Sequence, residues 1–121
     1  MRTELTIFRV KPGKEARADE WMRTLVARRD ECLATLGREA MYYESLFRLS
    51  VDGRMHLGWF TAQGDVHDDV DESDHDIDKV HCAFFDECLE VADPRPMDFD
   101  HVVTFAPEPI ERAITDLDRE S

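Results

Sequence analysis

His81 is the one residue that places a titratable ring on an apolar helical face. At about 100° per residue, Ile77, Val80, Phe84, Cys88 and Val91 form one stripe of a predicted helix over Ser73–Val91, and His81 falls inside it. Phe85 and Leu89 widen the stripe on the His81 side, and Asp78 sits on the same edge. An imidazole in such a place needs a partner for each ring nitrogen, and it titrates near neutrality without help. It reads either as a core histidine satisfied by a backbone carbonyl or Asp78, or as a group that handles protons.

Two further polar groups could meet it. Glu44 lies beside Trp59 on a predicted strand pair, and Arg29 projects from the middle of an apolar helical stripe. A carboxyl against an indole loses hydration, so its pKa rises, and Glu44 with His81 would then move a proton as enolisation or ring opening requires. Arg29 would hold an anionic substrate group or stabilise developing oxyanion charge. Asp78, one turn before His81, would fix the imidazole tautomer, and His75 would serve as a second proton carrier at the mouth. Trp59, Phe85 and Tyr43 complete the expected ligand-binding set, with Tyr42 and Tyr43 on opposite sheet faces. The structural alternative is an internal Arg29–Glu44 ion pair with His81 bonded to it, or an Arg29 that merely snorkels to the core edge.

Metal binding is a second class. His81, Asp78 and Glu44 have suitable ligand types, and a metal-dependent oxygenase or isomerase would use them. His75 and His81 are six apart and diverge by about 120° on a helix, whereas H-x-x-x-H puts both on one face. Haem would need a wide apolar cavity that no residue pattern demonstrates. There is no G-x-S-x-G, and Cys82 lies next to His81 rather than one turn away, which disfavours nucleophilic catalysis. Five scattered glycines make no phosphate-cradling loop, so no cofactor is expected.

The elements that must position these groups are legible in order. Leu5–Val10 reads as a strand ended by Lys11-Pro12-Gly13. Lys14–Leu36 has helical period, with Ala18, Trp21, Met22, Leu25, Val26, Cys32, Leu33 and Leu36 on one face and Gly37 at the C′ position. Met41–Val51 and Arg54–Gln63 read as a hairpin about Asp52-Gly53, a type I′ signal that places Leu46 opposite Trp59 and Glu44 opposite Thr61 unless a bulge intervenes. One face of that pair carries Tyr42, Glu44, Leu46, Arg48, Met55, Leu57 and Trp59. The other carries Tyr43, Ser45, Phe47, Leu49, His56 and Phe60. Neither is purely polar, so both call for cover. Gly64–Glu72 is an acidic, solvated loop whose His67, Asp68, Asp69 and Asp71 lack the spacing of a calcium loop. After the Ser73 helix, Phe99–Phe105 is expected as a fourth strand, and Pro107-Glu108-Pro109 opens a short terminal helix, Ile110–Leu117, with an acidic tail.

Bulk properties narrow the partners. The 121 residues suffice for one core, expected over 1–107, with 108–121 as the appended helix and tail. Asp and Glu number 28 against 15 Lys and Arg, a net charge of −13 that repels nucleic acid and anionic lipid. Only Lys11, Lys14 and Lys79 are lysines, a composition suited to a salt-rich cytoplasm, although a GC-rich genome also favours Arg over Lys. Three cysteines at wide spacings make neither a disulfide framework nor a zinc knuckle. No apolar run spans a bilayer or forms a leader, so a soluble, cytoplasmic protein without a membrane partner is expected.

Strand, helix, strand, strand, helix, strand is the ferredoxin-like βαββαβ order of an α+β domain. With a second sheet face needing cover, it resembles the dimeric α/β-barrel superfamily, which implies a homodimer joined through the sheet face and a cavity between sheet and helices in each protomer. MYYESLFR (Met41–Arg48) and His75-x-Ile77-Asp78-x-x-His81 resemble an uncharacterised family of small prokaryotic proteins that carries paired histidines before an aromatic-rich helix. That resemblance implies the fold and supplies no mechanism. The expected function is a cofactor-free acid–base enzyme, isomerase- or monooxygenase-like, acting on a compact polar or aromatic metabolite. The alternatives are a ligand-binding or sensor module with the same pocket, and the metal-dependent enzyme.

Overall fold

The computed structural model describes residues 1–37, 40–64, 75–91 and 97–120. The elements run β1 (Arg2–Val10), α1 (Glu15–Ala27), α2 (Arg29–Leu36), β2 (Met41–Val51), β3 (Arg54–Gln63), α3 (Asp76–Cys88), β4 (Leu89–Glu90), β5 (Met97–Asp98) and α4 (Glu108–Glu120). The protein is α+β: the strands form one antiparallel sheet in the order β2-β3-β1-β4, and β5 also pairs with β1.

The hairpin forms as its turn chemistry dictates. Asp52 and Gly53 both take positive φ, 52° and 72°, which a two-residue type I′ turn requires. The register places Leu46 opposite Trp59 and Glu44 opposite Thr61. An irregularity between Met41 and Tyr43 then inserts Tyr42 as an extra residue. A bulge re-aims the side chains before it. Met41 borders the space under the helices, while Tyr42, expected on the Glu44 face, bonds Asp118 of α4 instead.

The helix expected over Lys14–Leu36 is two helices. Arg28 (φ −106°, ψ 35°) closes α1 with its backbone N–H on Thr24, and α2 restarts at Arg29. No glycine or proline marks the break. The Arg28 guanidinium holds Glu31 and reaches Asp76 of α3 at 2.9 Å, which ties the joint to the next helix. Because the two helices no longer share one apolar stripe, Val26 and Leu33 are exposed. Gly37 closes α2 in right-handed geometry, and the left-handed residue is Ala40 (φ 51°).

The predicted Ser73 cap and the acidic run with His67 lie outside the described residues. His75 caps α3, which ends at Cys88 rather than Val91 because Leu89-Glu90 turns to pair with Arg9-Val10. Phe99–Phe105 is not a strand. Its alternation expresses β propensity, which names no partner: β5 pairs only Met97 and Asp98 with Ile7 and Thr6, and the chain then leaves the edge with Val102 and Phe105 almost fully exposed. The terminal helix is longer than expected, Glu108–Glu120, and sits by the chain start through the Met1 amino group on Asp118.

Helices α1 and α3 cover one face of the sheet. Val10, Ala18, Trp21, Leu57, Phe84, Cys88 and Leu89 form the core, and Phe8, Met55, Trp59, Val80 and Phe85 pack against it. Glu87 of α3 links to Arg17 (3.1 Å) and Lys14 (3.2 Å) of the α1 side, and the Arg17 guanidinium lies 4.4 Å over the Phe84 ring. These contacts hold α1 and α3 in the register that the site needs.

Candidate active site

The core does not extend under α2. Between α1, α2, α3 and the β2–β3 face lies a hollow of about 780 Å³, within the usual range of small-molecule sites. Leu25, Leu36, Met41, Leu46 and Ile77 give it apolar walls, and Glu44, Asp78, His81, Arg29, Cys32 and Trp59 bring chemistry into it.

Each polar group arrives by a local rule. Strand alternation sends Glu44, Leu46 and Trp59 to the helix-facing side of the sheet, so the carboxyl and the indole share the hollow. The i, i+3 spacing of Asp78 and His81 puts both on the sheet side of α3. Asp78 is buried. Arg29, the first residue of α2, stands exposed at the rim and forms no ion pair among the described residues. Arg48, the other rim arginine, is held by Asp19 at 2.7 Å.

His81 is set among rings, 5.3 Å from Trp21 and 6.1 Å from Trp59 between centroids. The Trp21 indole N–H donates to His81 Nδ1 at 3.1 Å. That nitrogen is therefore held by Trp21. Sequence reading put Trp21 on the apolar stripe of its helix and missed this role, since only the packing of α1 on α3 reveals it.

Electrostatics push the two titratable partners toward neutrality. Burial lowers the pKa of His81 against the opposing pull of the Asp78 charge. Lost hydration, then repulsion from Asp78, raises that of Glu44. The Glu44 side chain is reached by water through the hollow itself, yet protein surrounds it closely enough to strip part of its hydration. The Cys32 thiol is also pushed up, first by burial and then by Glu44.

The remaining expected residues lie elsewhere. His75 caps α3 on the exposed surface and does not line the hollow. Tyr43 is on the opposite sheet face, its ring 5.8 Å from Phe60. Phe85 packs on Phe8 at 5.1 Å and on both tryptophans, supporting the wall from within the core. Among the described residues, no three His, Cys, Asp or Glu side chains are disposed to hold a metal ion, and no helix is long and apolar enough to cross a membrane.

A comparison with curated proteins finds no match. Residues 1–112 match the model of a family of unknown function, DUF6176, and the chain belongs to that family.

Proposed function

We propose that the hollow is the active site of a small cofactor-free acid–base enzyme, isomerase- or monooxygenase-like, acting on a compact polar or aromatic metabolite. One observation carries the reading: His81 and Glu44 border the same hollow, with pKa values displaced in opposite directions so that both favour their neutral forms. A neutral imidazole facing a carboxyl of raised pKa is a pair that can exchange protons with a substrate near neutral pH. Asp78 supplies the nearby negative charge, and Arg29 at the rim holds an anionic substrate group.

The test is a screen of enolisable oxo acids, phenols and quinols for solvent-deuterium exchange or conversion, followed by His81→Leu. An acid–base group contributes about 10²–10⁴-fold, so the variant is expected to lose that much turnover while still binding. Ligands bound by the parent protein but never converted would instead identify a binding or sensor module.

The strand order and the outer sheet face also support a ferredoxin-like protomer that dimerises as an α/β-barrel. Leu5, Ile7, Leu49 and Phe60 line that outer face, beside exposed Phe47 and Tyr43. Light scattering is expected to give a dimer, and Phe47→Asp a monomer. A parent protein monomeric at all concentrations would refute the pairing.

A further inference from the structure

The Trp21–His81 bond decides which proton the site can offer. An indole nitrogen only donates, so Nδ1 of His81 must be the accepting, unprotonated nitrogen, and the ring's proton then sits on Nε2. Protonating Nδ1 would set two N–H groups against each other. Trp21 is fully buried and anchored by rings on several sides: Phe84 stacks on it at 6.1 Å, and Trp59 lies 5.4 Å away. It cannot easily turn aside to admit a second proton.

We infer that Trp21 is a positioning residue that holds His81 as the neutral Nε2–H tautomer, so that the hollow grips its substrate through an acceptor oxygen, the carbonyl of a compact oxo acid. This rests on the reading of the hollow as an active site and divides its labour. Nε2 already carries its proton and Nδ1 is engaged, so His81 is not the base. It polarises a carbonyl by donating a hydrogen bond, and keeps its proton. Glu44, when ionised, is the group left to take a proton from the carbon next to that carbonyl: the C–H electron pair moves onto the oxygen as an enolate held by Nε2–H, and the proton now on Glu44 returns to carbon or exchanges with water. Arg29 at the rim meets the carboxylate, and the walls of Leu25, Leu36 and Leu46 take an apolar body. The charged and titratable groups around His81 are Asp78 on its own helix, Glu44 and Arg48 from β2, Arg29 and Cys32 from α2, and Asp19 from α1. Asp78 favours a cation, so the Trp21 bond works with burial against its pull.

Nitrogen-15 NMR of the imidazoles reads the tautomer directly, with the His81 signals assigned by their loss in His81→Leu. The expected spectrum shows neutral His81 protonated at Nε2 at pH 7. In Trp21→Phe, which keeps a buried ring and removes the donor, the tautomers interconvert and the His81 titration midpoint rises. The wild-type spectrum decides even if that variant does not fold. An Nδ1–H form, which frees Nε2 as a base, or an imidazolium at pH 7, which makes His81 an acid, overturns the inference and leaves the acid–base reading standing.

The ligand class is tested with 4-methyl-2-oxopentanoate and 4-methylpentanoate, which share a carboxylate and an apolar body and differ only at the carbonyl. Quenching of the chain's two tryptophans reports binding, since both border His81. The oxo acid is expected to bind at least tenfold tighter. That preference should vanish in His81→Leu and return in His81→Gln, whose amide N–H replaces Nε2–H. Equal affinities, or a preference that survives His81→Leu, overturn the carbonyl assignment.

Discussion

The layer between helices and sheet is solid at one end and hollow at the other, though β3 runs through both. Under α1 and the C-terminal half of α3, Val10, Ala18, Trp21, Leu57, Cys88 and Leu89 are sealed from solvent. Under α2 the same layer holds the hollow, and Glu44, Asp78, His81 and Cys32 are found there. The kink at Arg28 makes the difference: α2 leaves the line of α1, so its side chains no longer reach down to fill the space above Glu44 and Leu46. One end of the layer stabilises the fold, and the other end is kept open for a guest.

Truncations should separate the two ends most sharply. Leu57→Ala removes a fully buried side chain from the filled end and is expected to cost about 2–5 kcal/mol in urea unfolding. Leu46→Ala, on the same sheet face but at the wall of the hollow, leaves no new sealed cavity and should cost roughly 1 kcal/mol, the lost transfer term alone. Equal costs would mean that the two ends are packed alike.

How much of this was legible depends on which residues carried the signal. Asp52-Gly53 fixed its turn, and through it the register that sets Glu44 beside Trp59, because a two-residue turn leaves no slack. The helical period of α3 placed Asp78 and His81 on one edge. The bulge at Tyr42 and the kink at Arg28 were hidden: each residue bonds a partner distant in sequence, Asp118 and Asp76, that no local pattern names. The pattern Phe99–Phe105 promised a strand, but β propensity cannot say whether an edge is free to receive one. Trp21 was legible as core and illegible as the partner of His81, because pairing two helix faces is beyond periodicity.

The hollow end should accept what the filled end refuses. Replacing Glu44 by Leu adds apolar volume to an apolar-walled space and removes a poorly hydrated carboxyl. It is expected to raise stability by about 0.5–2 kcal/mol while abolishing turnover, the usual trade between stability and a working site. Thermal unfolding measures the first and the solvent-deuterium exchange or conversion assay the second. A destabilised Glu44→Leu would show that the carboxyl is structural.

The smallest effect is the most specific to the hollow. A carboxyl whose folded pKa is raised binds its proton more tightly when folded, so it favours the fold below its ordinary 4.5, and that favour fades as pH rises through the folded value. His81, lowered from its ordinary 6.5, does the reverse: its neutral form suits the fold, so stability is full above 6.5 and is lost as pH falls from there through the lower folded value. Glu44→Gln should therefore leave stability unchanged at pH 4 and raise it at pH 7, by a few tenths of a kcal/mol because water in the hollow screens the charge. His81→Leu should flatten the decline on the acid side of pH 6.5. The same measurements on Leu57→Ala should show a uniform loss from pH 4 to pH 7, since the thiol sealed in the filled end, Cys88, is pushed up from its ordinary value by burial and stays neutral over that range.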